Sequence, residues 1–232
     1  MRTLNKIVVI LMAAGLVFSA CNKENDLTPA DQGGVKLTFK AITSGTLKSA
    51  TVGSAEITEA WLGVEKIKFK PLTEEKGQTD KIVFTGPYIA DLAAGTTTPE
   101  IDWTQIEPGL YKEVEFESES VLENEQSVLI RGTITLNDLP YPFEFSTGDN
   151  GFSFEVENEE GIMIEEGKIA DVMVLFDLTL LFGEIDLTDA VAGENGYLFN
   201  DEVNNDYTEL LKENLKELCK LKFEEEEEDD ED

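Results

Sequence analysis

Histidine is missing from all 232 residues, and cysteine occurs only twice. Without imidazole, the usual base of a Ser-His-Asp or Cys-His nucleophile is absent, and zinc loses its commonest nitrogen ligand. Positive charge is scarce as well: 18 Lys+Arg stand against 49 Asp+Glu, a formal net charge of −31. A nucleic-acid binder needs a basic face to neutralise phosphates, so this balance excludes nucleic acid as a partner. The charge-free apolar run Ile7–Phe18 has twelve residues, short of the roughly 20 that a helix needs to cross hydrocarbon. What remains is a hydrophobic fraction of 41%, enough to build one core.

The N-terminus carries the most specific pattern. Arg2 and Lys6 precede the apolar run, Ser19 and Ala20 are small, and Cys21 follows at once. A positive segment, a short apolar segment and small residues describe a secretory leader rather than a membrane span. Phe18-Ser19-Ala20-Cys21 resembles the bacterial lipobox, with Phe18 bulkier than the leucine usual at that place. The resemblance implies that residues 1–20 are a lipoprotein signal peptide and that Cys21 is acylated, which makes the membrane a partner through a lipid anchor. A secreted chain cut after Ala20 and an uncleaved anchor are the alternatives. Residues 21–33 are polar and poor in apolar side chains, a composition expected of a flexible tether. Lys23-Glu24 with Asp26 resembles the acidic export tag of Bacteroidota surface lipoproteins, which implies the outer face of an outer membrane. With Cys21 acylated, Cys219 has no partner for an intramolecular disulfide. Its place near Leu211, Leu215 and Leu218 predicts a small packed hydrophobe on a helix.

Residues 34–223 read as one domain whose dominant period is two. Val35, Leu37, Phe39 and Ala41 alternate with Lys36, Thr38 and Lys40. In the longer segment 57–69, Ala60, Leu62 and Val64 share one parity, and Ile67 and Phe69 take the other. A one-residue phase change inside a strand is the mark of a β-bulge. Further strands are expected over 81–84, 88–92, 110–117, 128–136, 141–145, 152–156 and 197–199. Gly86-Pro87 suggests an edge, bend or bulge, Pro140 and Pro142 suggest an edge, and Asn137-Asp138 suggests a turn. Val172-Met173-Val174-Leu175-Phe176 is apolar on both parities, as in a central strand covered on both faces. Asp206 and Glu209 form a capping box for an amphipathic helix over 206–222 that should dock on the sandwich. The expected fold is mainly β: an antiparallel β-sandwich of seven to nine strands with one C-terminal amphipathic helix, followed by a disordered acidic tail, residues 224–232.

Four segments carry a family resemblance: Ala60-Trp61-Leu62-Gly63-Val64-Glu65-Lys66-Ile67-Lys68-Phe69, Gly86-Pro87-Tyr88-Ile89-Ala90-Asp91-Leu92, Pro108-Gly109-Leu110-Tyr111 and Ile130-Arg131-Gly132-Thr133-Ile134. They resemble the uncharacterised β-sandwich lipoproteins of Bacteroidota, a domain of unknown function with a prealbumin-like or immunoglobulin-like sandwich. The shared features are strand patterns and turn glycines, so the resemblance implies a fold and a surface-anchored setting and brings no catalytic residues.

Candidate chemistry is sparse. Two carboxylates about 5–10 Å apart can hydrolyse glycosides, but among 49 acids many pairs reach that spacing by chance. Calcium suits clustered acid and amide oxygens, and Asp186, Asp189, Asp201 and Asp206 are the candidate ligands, near Glu194, Asn200, Glu202, Asn204 and Asn205. Neither cluster fits the twelve-residue calcium loop. Trp61 and Trp103, with Tyr88, Tyr111 and Tyr141, could stack on a sugar if aligned, though aromatics in sandwiches are more often core. The acidic tail is either a solvated end or a docking tag for cations or a basic partner. The leading expectation is a non-catalytic cell-envelope lipoprotein, not an enzyme, displaying a binding, adhesion or assembly module towards an envelope protein or glycan. The alternative is a calcium-dependent or carbohydrate-binding accessory lipoprotein of a nutrient-uptake system.

Overall fold

The computed structural model describes residues 32–46, 52–72, 81–148 and 152–224. The leader, Cys21, the tether up to Asp31 and tail residues 225–232 lie outside them. In chain order the first seven strands are β1 (Gly33–Ile42), β2 (Ser44–Thr46), β3 (Val52–Pro71), β4 (Lys81–Asp91), β5 (Thr96–Thr98), β6 (Thr104–Ile106) and β7 (Gly109–Ser118). Then come β8 (Val128–Leu136), β9 (Leu139–Thr147), β10 (Ser153–Ile164), β11 (Ile169–Asp177), β12 (Ala192–Gly193), β13 (Gly196–Phe199), helix α1 (Asn205–Glu217) and β14 (Cys219–Glu224). Strands β14-β11-β1-β6 form a four-stranded sheet, and the other ten form a larger one. The inner faces meet in a single core, where Phe39 of β1 packs edge-on against Phe116 of β7 and Phe176 of β11 packs edge-on against Phe154 of β10. The chain is a mainly β sandwich with one helix near its C-terminus.

The twenty residues of β3 organise the larger sheet. Along one side it pairs first with β8 (Val52–Leu62) and then with β7 (Val64–Pro71); along the other it pairs with β2 and then β4. The exchange of partners coincides with the phase change read in the sequence. Val64 is opposite Ser118, Lys66 is opposite Glu117, and Glu65 is the additional residue of the bulge. Ala60, Leu62 and Val64 before the bulge and Ile67 and Phe69 after it are all buried on the core side. Without the extra residue, one half of the strand would turn its apolar side chains outward. At the same point the β7–β8 connection folds back: Glu119 N–H donates to the Gly63 carbonyl, and Gly63 N–H donates to the Ser127 carbonyl. A Cβ on Gly63 would stand 2.0 Å from the Glu119 oxygen.

Several local expectations hold. Asn137 and Asp138, both at positive φ, close a two-residue β8–β9 hairpin in which Leu136 faces Leu139, the geometry of a primed turn. Pro140 and Pro142 precede Phe143, where pairing of β9 with β13 begins, so they occupy a stretch of its outer edge without that partner. Strand β11 lies inside its sheet, as its double-sided apolar sequence suggested, but the expected cover on both faces is incomplete: on its outward side Asp171 is exposed and Met173 half-buried.

Other expectations are corrected. Two pairings are parallel, β1 with β11 and β9 with β13, so both sheets are mixed. Segments 81–84 and 88–92 belong to one strand continuing through Gly86-Pro87, and Gly33, assigned to the tether, opens β1. The helix ends at Glu217 rather than 222. Cys219, Leu221 and Phe223 alternate with Lys220 and Lys222, a period-two pattern that pairs with β11, so Cys219 lies on a strand. It is nonetheless buried, and burial pushes its thiol pKa well up, as suits an inert packed side chain. The helix cap is Asn204 at φ 54°, not Asp206, and no side chain closes the capping bond. Leu211 and Leu215 are buried with Thr208 and Lys212, whereas Leu210 is exposed, so the apolar stripe is narrower than the sequence implied. The helix docks on β9 and β13, and the Asn214 side-chain amide donates to the Leu181 and Gly183 carbonyls.

Replacing Gly63 with alanine should destabilise the fold by about 3 kcal/mol, because the added methyl meets backbone rather than a movable side chain. Gly193→Ala, whose new Cβ would find its nearest neighbour at an ordinary 3.5 Å, should change stability by less than about 0.5 kcal/mol. Urea unfolding of the two variants checks this, and equal losses would contradict it.

Candidate functional site

The acidic loops before α1 are held by their own polar groups. Asp186 Oδ1 accepts from the backbone N–H and the hydroxyl of Thr188, and these bonds draw its carboxyl below the usual range. Asn200 Oδ1 accepts from the N–H groups of Glu202 and Val203. Asn204 ties three segments together: its amide donates to the carbonyls of Val191 and Leu198, and its oxygen accepts from Val191 N–H. The amides that suggested calcium ligation are thus spent on loop structure. Burial, followed by the negative charges of Asp189, Asp186 and Asp206, raises the Tyr207 pKa. Asp201 is exposed. No three of Asp186, Asp189, Asp201 and Asp206 bring their oxygens within 4.8 Å of one another; among the described residues, the trio that does is Glu113, Glu115 and Glu155.

That trio belongs to a larger charged surface on the outer face of β3, β7 and β10, which the sequence reading missed. Lys66, Lys68 and Lys70 lie in register opposite Glu117, Glu115 and Glu113. Lys66 Nζ donates to Glu117 at 2.9 Å, and Lys68 Nζ donates at 2.9 Å to both Glu115 and Glu117. Lys70 is bonded to Glu113 and lies 3.0 Å from Glu115. Glu117 and Glu115 are thereby each shared between two lysines along a zipper that ends at the Lys70–Glu113 pair. On its far side, Glu155 is opposite Glu115 and Glu157 is opposite Glu113. The hydrogen bond from Lys68, joined by that from Lys70, holds Glu115 below the ordinary carboxylate pKa against the opposing pull of burial. The Lys66 and Lys68 bonds do the same for Glu117. The bonds to Glu117 and Glu115 raise Lys68 in return, and Lys70 is raised although burial alone would lower it. Two of the three carboxylates a metal would need are already neutralised by lysine, so the arrangement is an ion-pair ladder in its own right. Farther along the same sheet, Arg131 donates to Glu144 at 2.7 Å and to Glu59 at 2.8 Å.

The aromatic candidates separate. Trp61 is half-buried on the outer face of β3, with Leu129 and Asp91 as cross-strand neighbours. Trp103 is half-buried just before β6, in the other sheet. Neither indole makes a ring contact among the described residues, and the two do not share a row. Tyr88 and Tyr141 pack against the core, while Tyr111 is buried and its hydroxyl donates to the Glu107 carbonyl. A shallow open cleft of about 390 Å³ is lined by Glu119, Ser120, Glu125 and Gly148, beside the turn that folds over Gly63. No helix among the described residues is long and apolar enough to cross a membrane.

Comparison of the chain with family models, with curated proteins and with solved structures finds no match. The class of protein is therefore defined by its own architecture: a two-sheet β-sandwich with a charge ladder on the outside of its larger sheet.

The ladder makes stability depend on pH in a defined direction. Glu115 and Glu117 are depressed in the folded state, so their contribution is present above the ordinary value of 4.5 and is lost as pH falls through the lower folded values. Lys68 is raised, so its share is present below the ordinary 10.5 and is lost as pH climbs through the folded value. Glu115→Gln, which weakens contacts to two lysines, should cost about 1 kcal/mol at pH 7. The difference from the parent should shrink as pH falls below 4.5 and through the lower folded-state value of Glu115; chemical unfolding at pH 7 and at a series of acid pH values measures it, and a difference that stays undiminished however far the pH is lowered would refute the ladder's role.

Proposed function

We propose that this chain is a non-catalytic lipoprotein of the bacterial cell envelope, anchored through Cys21, that holds its β-sandwich away from the membrane as a binding, adhesion or assembly module. The observation that carries this reading is the arrangement Arg2, Lys6, Ile7–Phe18, Ser19-Ala20-Cys21, set twelve positions ahead of the first strand at Gly33. Two acyl chains of ordinary length, at about 0.8 kcal/mol per buried methylene, supply on the order of 20 kcal/mol of membrane affinity. The folded body then needs no apolar docking face of its own. Twelve residues at about 3.4 Å each allow a separation of up to about 40 Å between the anchor and β1. The Lys23-Glu24-Asp26 pattern and the resemblance to Bacteroidota sandwich lipoproteins favour the outer, cell-surface leaflet.

The calcium- or carbohydrate-binding alternative would need converging oxygens in the acidic loops or aligned tryptophans. Asp186 and the amides Asn200 and Asn204 are instead engaged in loop bonds, and Trp61 and Trp103 stand apart. No observation raises it to a second reading.

Metabolic labelling with palmitate in a bacterial host tests the anchor. The parent should incorporate label and sediment with membranes, and Cys21→Ser should do neither. Equal labelling of both proteins would overturn the proposal.

A further inference from the structure

In a chain this acidic the cations are few, and six of the described ones are paired: Lys66, Lys68, Lys70, Arg131, Lys168 and Lys212 each have a carboxylate within salt-bridge distance. Lys36, Lys40, Lys220 and Lys222 have no ion-pair partner among the described residues, and all four are exposed. They come from opposite ends of the sequence and meet on one surface, the outer face of the four-stranded sheet. The registers make the rows explicit. Lys40, Leu175 and Lys220 lie side by side across β1, β11 and β14; Thr38, Met173 and Lys222 form the next row; Lys36 and Asp171 follow, alongside Glu224. Leu175 is buried and Met173 half-buried on this outward side, so the lysines frame an apolar strip. With strands about 4.8 Å apart and residues about 3.4 Å apart, the four ammonium groups originate from a patch of roughly 10 by 14 Å.

The sequence leaves this patch in one direction. Strand β14 ends at Glu224, and residues 225–232 continue as eight further acids, EEEEDDED. We propose that this acidic C-terminal segment docks in cis across the outer face of the four-stranded sheet, pairing with Lys36, Lys40, Lys220 and Lys222. Reach is sufficient: eight residues at about 3.4 Å each cover about 27 Å, which allows a reversal beyond Glu224 and a path over both lysine pairs. Tethering helps, because a segment joined directly to the edge strand is present at millimolar effective concentration. Charge complementarity selects this occupant: the segment is the densest negative run in the chain, and the patch is a surface where lysines outnumber acids and have no ion-pair partner among the described residues. Docking also relieves the mutual repulsion of the acids, since each carboxylate near a lysine is neutralised.

The test compares the chain ending at Asp232 with the same chain ending at Glu224, which keeps β14 intact, and with a full-length form whose residues 225–232 are changed to the corresponding amides. Lysine acylation by N-hydroxysuccinimidyl acetate is followed residue by residue by mass spectrometry, with circular dichroism confirming that all three forms are folded. At low ionic strength Lys36, Lys40, Lys220 and Lys222 should react about threefold more slowly in the parent than in either altered form, while Lys112 and Lys216 stay unchanged. The protection should disappear in about 0.5 M NaCl. Equal rates in all three forms would overturn the proposal. So would protection that grows with protein concentration and accompanies dimers in sedimentation, which would place the tail on a second copy. Equal binding of parent and truncated chains to phosphatidylglycerol vesicles through these lysines would also overturn it, by assigning the face to lipid.

Discussion

The geometry of β3 is the constraint on which the rest of the sandwich depends. A strand of twenty residues cannot keep one set of neighbours while the sheet twists around a finite core. This one exchanges β8 for β7 on one side and β2 for β4 on the other, within a few residues of Gly63 and Glu65. The glycine admits the backbone of the β7–β8 connection, and the bulge restores the inward parity of Ile67 and Phe69. The same shift decides the outer face. Because the bulge turns Ile67 and Phe69 inward, Lys66, Lys68 and Lys70 point outward together, opposite the glutamates of β7.

Charge is distributed by the same logic. With a formal net charge of −31, self-repulsion works against any compact state. The larger sheet meets this by interleaving three lysines with three glutamates and by placing Arg131 between Glu59 and Glu144. A single ion pair of this kind is worth little, but a network in which each lysine is shared between carboxylates holds its geometry better. The smaller sheet is built the other way, with like charges framing Met173 and Leu175. The two outward faces are therefore chemically unlike, one built of interleaved ion pairs and one on which the lysines of β1 and β14 outnumber the acids beside them.

How far this was legible in the sequence differs from element to element. Local alternation, the β3 phase change, the turn at Asn137-Asp138 and the short strand at Tyr197–Phe199 could be read because each is a property of neighbouring residues. The strand at Cys219–Glu224 was concealed because Leu211, Leu215, Leu218 and Cys219 also fit a helical stripe, and only pairing with β11 decides between the two periods. The parallel partnership of β1 with β11 joins residues about 135 positions apart and leaves no local trace. The ladder did have a signal: Lys66, Lys68 and Lys70 repeat at every second residue, as do Glu113, Glu115 and Glu117. Two alternating rows of opposite sign are complementary, yet their register depends on the bulge. The calcium candidates were chosen from composition alone, whereas geometry turns on which oxygens are already occupied.

The placement of β1 has a consequence for how the chain is made. It emerges early, but its neighbours β6 and β11 lie at residues 104–106 and 169–177, and β14 closes that sheet only at 219–224. The larger sheet is mostly assembled from hairpins and near neighbours, so its pairings can form as synthesis proceeds, whereas distant pairings form late. Until then β1 lacks its long sheet neighbour β11, and its apolar side chains can meet only the larger sheet, as Phe39 does at Phe116. The four-stranded sheet is thus the part of the sandwich that closes last, because its edge strand β14 can join β11 only when the C-terminal part of the chain is present.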